Sequence, residues 1–248
     1  MKKAFIMPVD YLEYDNTNYH MALTHLVLKY PKYAEFYKQK RLEGEYVILD
    51  NSLIELDGSM TIEDVLKAAD IINPDEIVLP DVFLDRKGTM AEVQRAIGYL
   101  KNIDPVHKPY NLQAVCHGKN VREWQRCFHY LDELPEIDCI GIPKVTHTIF
   151  PNGRIDAVKY AMENRVNDTE IHLLGMWENA DEFRYYTNKE KNFVRGVDSS
   201  IVPHCTIENQ SFANGEFFKP NWKINLESQY DLDVNLLKEN QSKFMEFV

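Results

Sequence analysis

Short apolar runs in this chain end, one after another, on side chains that can move protons or attack carbon. Residues 4–9 lead into Asp10, 46–49 into Asp50-Asn51-Ser52, and 76–80 into Asp81, with Asp85-Arg86 a turn later. Residues 112–116 lead into His117-Gly118, 139–143 into Lys144, 171–176 into Trp177-Glu178, and 193–197 into Asp198-Ser199-Ser200. Carboxylates converging from different strands can supply a nucleophile, a general base and a hydrogen-bond acceptor for a heterocycle. Each has a plainer role as well, because Asp, Asn and Ser cap the helix that follows a strand, and His117-Gly118 can be a turn whose glycine supplies positive φ. Lys144 reads as a solvated or phosphate-facing side chain, since nothing around it implies the desolvation a Schiff-base lysine needs. The 14 Tyr and 12 Phe are mostly core, and those beside strand ends are the ones placed to stack a base.

The elements that must position these groups follow from the same runs. Their β-branched and aliphatic residues do not alternate with polar ones, so both faces of each strand are buried, as in a parallel sheet covered by helices. Between them, Thr61-Ile62-Glu63-Asp64 opens a helix with a threonine cap and an acidic first turn. Val65, Leu66, Ala69 and Ile72 follow at core spacing, and Asn73-Pro74 ends the helix. Helices are predicted near residues 90–100, 120–134, 154–163 and 180–187. The alternation predicts an α/β fold, a (β/α)8 TIM barrel forming one domain over residues 1–248. Seven strands are visible, so an irregular eighth is expected within 216–225, before a closing helix at 234–247. Residues 201–221, rich in polar and turn-forming types, are expected to be a long loop or insertion. An open doubly wound sheet is disfavoured because no glycine-rich turn follows the first strand.

Composition narrows the partners. Of 248 residues, 44% are hydrophobic and 27% charged, which suits one large soluble core. The net charge of -11 argues against a broad basic face. Lys101, Lys108, Lys119, Arg122, Lys144 and Arg154 offer at most a local basic strip. Cys116, Cys127, Cys139 and Cys205 form no CxxC pair, so neither a zinc knuckle nor a disulfide scaffold is indicated, and a reducing cytoplasm fits. The apolar run after Met1-Lys2-Lys3 is too short for a signal peptide, and no stretch approaches the roughly 20 residues that span a bilayer, so no membrane partner is expected.

Taken in order, these strand ends resemble the catalytic barrel of the tRNA-guanine transglycosylase superfamily, over residues 4 to about 200. In style the chain is similar to its short members in phages and bacteria that place 7-deazaguanines in DNA. Phe5-Ile6-Met7-Pro8-Val9 is similar to the family's opening strand, and Ile48-Leu49-Asp50-Asn51-Ser52 to its aspartate-serine-glycine-glycine-phenylalanine segment. Val78-Leu79-Pro80-Asp81 sits where the family has its base-reading aspartate. Val115-Cys116-His117-Gly118 resembles the valine-glutamine-glycine strand end, with His117 in place of the glutamine. Ile140-Gly141-Ile142 and His172-Leu173-Leu174-Gly175-Met176 look like the next two strand ends, which line the base pocket, and Val197-Asp198-Ser199 is similar to a phenylalanine-aspartate-cysteine segment. Two departures stand out: Asn51-Ser52-Leu53 replaces the glycine pair, and the family's C-terminal cysteine-rich zinc site has no counterpart.

The resemblance implies base exchange by double displacement, with guanine in nucleic acid replaced by a 7-deazaguanine. It makes Asp198 the nucleophile and Asp50 the catalytic base. Asp81, His117 and Gly141 become purine readers, with Asn51, Ser52, Gly118, Gly175, Met176 and Ser199 completing the substrate site. No cofactor or metal is implied. DNA is expected ahead of tRNA because the zinc subdomain that helps to position tRNA is missing, and a partner protein that supplies a basic surface is a further expectation. The setting would be the cytoplasm of a bacterial or phage-infected cell. Two other functions suit a carboxylate-lined barrel: hydrolysis of an N-glycosidic bond, with water taking the intermediate, and binding of a deazapurine, nucleoside or protein without turnover.

Overall fold

A computed structural model describes residues 1–103, 110–176, 181–212 and 222–247. Eight parallel strands form a nearly closed barrel with helices outside it. The strands are β1 (Lys2–Phe5), β2 (Tyr19–Leu23), β3 (Tyr46–Asp50), β4 (Glu76–Val78), β5 (Asn111–Val115), β6 (Cys139–Pro143), β7 (Glu170–Leu174) and β8 (Val194–Ser199). The ladder runs β1-β8-β7-β6-β5-β4-β3-β2, and β1 packs against β2 across the seam. This is the single-chain (β/α)8 architecture expected from the alternation of apolar runs and helical patterns.

The helices are α1 (Thr24–Lys29), α2 (Pro31–Leu42), α3 (Leu53–Leu56), α4 (Ile62–Ile72), α5 (Arg86–Ile103), α6 (Val121–Asp132), α7 (Arg154–Asn164), α8 (Asn188–Phe193), α9 (Ile201–Ile207) and α10 (Val234–Phe247). Helix α4 begins where the sequence places it, with the Thr61 side chain accepting from the Asp64 N–H at 3.2 Å. It ends at Asn73, whose φ of 49° is left-handed and turns the chain back into β4. Helix α6 is capped in the same way by Asn120, which accepts from the Glu123 N–H at 3.1 Å.

The eighth strand of the barrel is β2, between the first two recognised runs, whereas the sequence places it within residues 216–225. Of that segment, residues 216–221 lie outside the described residues and 222–225 form no strand. All five residues of β2 are buried, but His20 interrupts its apolar pattern. Burial of His20 is made tolerable by Asp15 Oδ2 at 3.1 Å and Glu45 Oε2 at 2.5 Å, partners that lie on other elements.

Two more expectations are corrected. Residues 180–187 do not form one helix: Ala180 lies outside the described residues, a 3-10 turn spans Asp181–Arg184, and Thr187 starts α8 through a capping box with Glu190. The start of 201–221 is not a loop but α9, whose Pro203 falls in the first turn, where its missing N–H costs no helical bond.

The core has two parts. Ala4, Tyr19, Met21, Ile48, Val78 and Val115 fill the barrel interior. A larger layer, including Phe5, Leu49, Ile77, Trp124, Ile140, Leu173 and Val197, lies between strands and helices. Strand residues are therefore buried on both faces, and the inner face also holds the polar side chains Glu76, Gln113, His172 and Arg195, which bond to one another or to Tyr19.

Candidate active site

The carboxyl ends of the strands open into one cavity of about 840 Å3, lined in part by Asp50, Asn51, Asp81, His117, Gly175, Asp198 and Ser199. Inward-facing positions recur at every second residue, so the last inward side chains of β3 and β8, Asp50 and Asp198, meet at the mouth. Of the substrate-site residues expected from sequence, Ser52, Gly118, Gly141 and Met176 are not in the cavity wall. Trp177 and Glu178 lie outside the described residues.

Those four have structural tasks instead. Ser52 takes a left-handed φ of 63°, which aims its N–H at Asp50 Oδ2 at 2.7 Å, and its hydroxyl pairs with His25 Nδ1 at 2.8 Å. A Cβ on Gly118 would lie 2.4 Å from the Trp124 nitrogen, so its glycine lets α6 approach β5. A Cβ on Gly141 would lie 2.8 Å from both Gln113 Nε2 and Leu174 Cδ1 inside the barrel. Met176 is fully buried in the layer between strands and helices.

Asp81, in the cavity wall, is held by three side chains. Its Oδ1 accepts from Asn51 Nδ2 at 2.7 Å and Ser59 Oγ at 3.1 Å, and its Oδ2 pairs with His117 Nε2 at 2.6 Å. The Leu84 N–H donates to His117 Nδ1 at 3.3 Å, so His117 carries its proton on Nε2 and donates it to Asp81. Both ring nitrogens are thus occupied, and His117 acts on the cavity by fixing Asp81. Asp198 is held similarly: Oδ1 pairs with His172 Nε2 at 3.0 Å, and Oδ2 accepts from the Gly175 N–H at 3.2 Å. Gly175 has φ of +67°, a conformation that suits glycine and directs that N–H.

Asp50 differs in its electrostatics. Burial pushes its carboxyl well above the ordinary aspartate range, and Glu55 adds most to that among its neighbours, against the favourable Ser52 N–H. Asp198 and Asp81 raise it further. Glu55, on α3 in the cavity wall, is itself raised by burial, with Lys223 and Lys144 opposing. A carboxyl that keeps its proton to higher pH than a free one can serve as an acid and then as a base.

Glu55 was not singled out by sequence because it lies beyond the strand end, on a helix of four residues. Phe83 was missed for a related reason: it stands two residues after Asp81, at the cavity wall, in a T-shaped contact with His117 at 6.0 Å between centroids. Trp222, Lys223 and Ile224, from the segment before α10, close another side and carried no motif.

The remaining strand-end residues do other work. Exposed Asp10 pairs with Lys32, and Asp85 Oδ1 accepts from the Lys87 N–H at 3.0 Å at the start of α5. Lys144 lines the cavity. The expected basic strip is not continuous, because Arg154 is fully buried against Glu182 and Lys101 pairs with Glu136, while Lys108 lies outside the described residues. Among the described residues, no group of three or more His, Cys, Asp or Glu is placed to hold a metal ion. No helix among them is long and apolar enough to cross a membrane.

Comparison with known proteins leaves the site to speak for itself. No family model matches the chain, and no curated protein matches it significantly.

Proposed function

We propose that this barrel exchanges guanine in nucleic acid, DNA ahead of tRNA, for a 7-deazaguanine base through a covalent aspartyl-glycosyl intermediate. The observation that carries this reading is that Asp50, Asp81 and Asp198, from three different strand ends, line one cavity whose size suits a small heterocycle. Asp198 attacks C1′ of the target nucleotide while the C1′–N9 bond breaks, and the departing base takes a proton from Asp50. The incoming base then attacks C1′ from the other side, its N9 proton passes to Asp50, and Asp198 leaves. Splitting the substitution in two lowers each barrier. The raised Asp50 carboxyl supports its use in both directions.

Asp81, clamped by Asn51, Ser59 and His117, offers its remaining Oδ2 lone pair to an N–H of a purine, and Phe83 offers a ring to stack on it. A duplex target must be flipped out of its stack, at a cost of a few kcal/mol. Lys144 and Lys223 at the cavity wall are the cations nearest an incoming phosphate, and the net charge of -11 favours a partner protein that supplies further basic surface in the bacterial or phage-infected cytoplasm.

The test is incorporation of labelled guanine into DNA and into tRNA. Incorporation that Asp198→Asn abolishes and the surface change Glu239→Gln leaves intact is the expected result. Undiminished exchange by Asp198→Asn rejects the assignment, and release of free guanine with no acceptor base would make the enzyme a hydrolase.

A further inference from the structure

Beneath Asp198 a line of hydrogen bonds crosses the barrel interior to the opposite rim. Arg195 projects inward where the β7–β8 register slips between Ile171 and His172. Its Nη1 and Nη2 bind Glu76 Oε2 and Oε1, both at 2.7 Å, and its Nε–H donates to the Tyr19 hydroxyl at 3.1 Å. Tyr19 Oη lies 3.0 Å from His172 Nδ1, and His172 Nε2 lies 3.0 Å from Asp198 Oδ1. Tyr19 and His172 are buried, and neither they nor Arg195 line the cavity. The Tyr19 ring fits because residue 196 is glycine: a Cβ there would stand 2.7 Å from the ring.

The line has a direction. A guanidinium can only donate, so Tyr19 Oη accepts from Arg195 and sends its own proton toward His172 Nδ1. Burial keeps that proton on Tyr19, whose ionisation is pushed far up. With Nδ1 accepting, the imidazole proton sits on Nε2 and is donated to Asp198 Oδ1. The Gly175 N–H takes Oδ2. Donors below and beside the carboxylate leave its other lone pairs facing the cavity.

We infer that His172 is the positioning residue of Asp198, set in its Nε2–H tautomer by a donor chain from Arg195 through Tyr19. The inference rests on Asp198 being the nucleophile. Without the Tyr19 hydroxyl, the Asp198 carboxylate alone selects the Nε2–H tautomer, and the imidazole loses the donor on Nδ1 that fixes its orientation from the other side. Tyr19→Phe therefore acts on the reacting group from two hydrogen bonds away while leaving the cavity wall untouched.

The experiment combines histidine 15N NMR with steady-state guanine exchange. Wild-type protein should show His172 with a hydrogen-bonded acceptor Nδ1 and a protonated Nε2, and Tyr19→Phe should shift the Nδ1 resonance to that of an acceptor that has lost its donor. Tyr19→Phe should lower kcat roughly ten- to a hundredfold, as loss of an outer orienting partner does, with KM for the base unchanged. His172→Gln, whose amide can donate to Asp198, should retain more activity than His172→Leu, which guards against a variant that is simply misfolded. A protonated Nδ1 in wild type, or a wild-type kcat in Tyr19→Phe beside an inactive Asp198→Asn, overturns the inference and leaves the proposed function standing. Full activity in Asp198→Asn instead removes the nucleophile, and the positioning role with it.

Discussion

Replacing Arg195 by Met tests the barrel interior most severely. Glu76 is completely buried, and both of its carboxylate oxygens receive an Arg195 N–H at 2.7 Å. With Arg195→Met the Tyr46 hydroxyl, at 2.8 Å, is the donor that stays on Glu76. Removing one partner of a buried ion pair strands the other charge, at a cost of about 3–5 kcal/mol. Exposed Glu170, the third group on Arg195, adds little, because an exposed pair contributes about 0–1 kcal/mol. In a chain of this size each kcal/mol moves Tm by about 2–4 °C, so Tm should fall by about 6–20 °C.

Urea unfolding followed by circular dichroism provides the measurement, with a lower midpoint and an unchanged slope expected. Glu76→Gln in the Arg195→Met background removes the stranded charge. The double variant should therefore be more stable than the sum of the single losses, with a coupling of at least about 1 kcal/mol. A loss below about 1 kcal/mol for Arg195→Met, the value of an exposed pair, or strict additivity in the cycle, would refute the picture of a buried, mutually dependent pair.

Two further outcomes concern titration. Burial raises both Asp50 and Glu55 in the folded protein, so what this pair contributes to stability is present below the unfolded value, 4.5 for Glu55, and is lost as pH rises through the folded values. Glu55→Gln should therefore stabilise the protein near neutral pH by about 0.5–2 kcal/mol, with the gain fading toward acid pH in melting curves. It should also move the ascending or descending limb set by Asp50 toward acid, and a loss of stability at neutral pH would contradict the reasoning. For His20, burial alone lowers the pKa, but Asp15 and then Glu45 outweigh it and leave it above 6.5. Its pairing stabilises fully below 6.5 and fades as pH rises through the folded value, so His20→Gln should flatten the fall in urea midpoint across that window. An unaltered slope would show that His20 is not the group that titrates.

What could be read from residue order alone was local and periodic. Apolar runs such as Val47-Ile48-Leu49 and Cys139-Ile140-Gly141-Ile142 announce strands buried on both faces, and Thr61 and Asn73 announce the two ends of α4. Because a barrel opens its site at the carboxyl ends of its strands, Asp50, Asp81, His117 and Asp198 stand out in the sequence as residues of the cavity wall. Tertiary structure decided what depends on partners distant in the chain. Strand β2 escaped notice because His20 becomes buriable through nearby Asp15 together with Glu45, 25 positions on, and Arg154, which reads as surface charge, is buried on Glu182. Likewise Gly141 and Gly118 serve close packing, and the line from Arg195 to Asp198 joins residues up to 176 positions apart in the chain. Periodicity reports which face of an element is apolar, but the energy of a buried charge or hydrogen bond is set by the group opposite it, and that group is chosen by the fold.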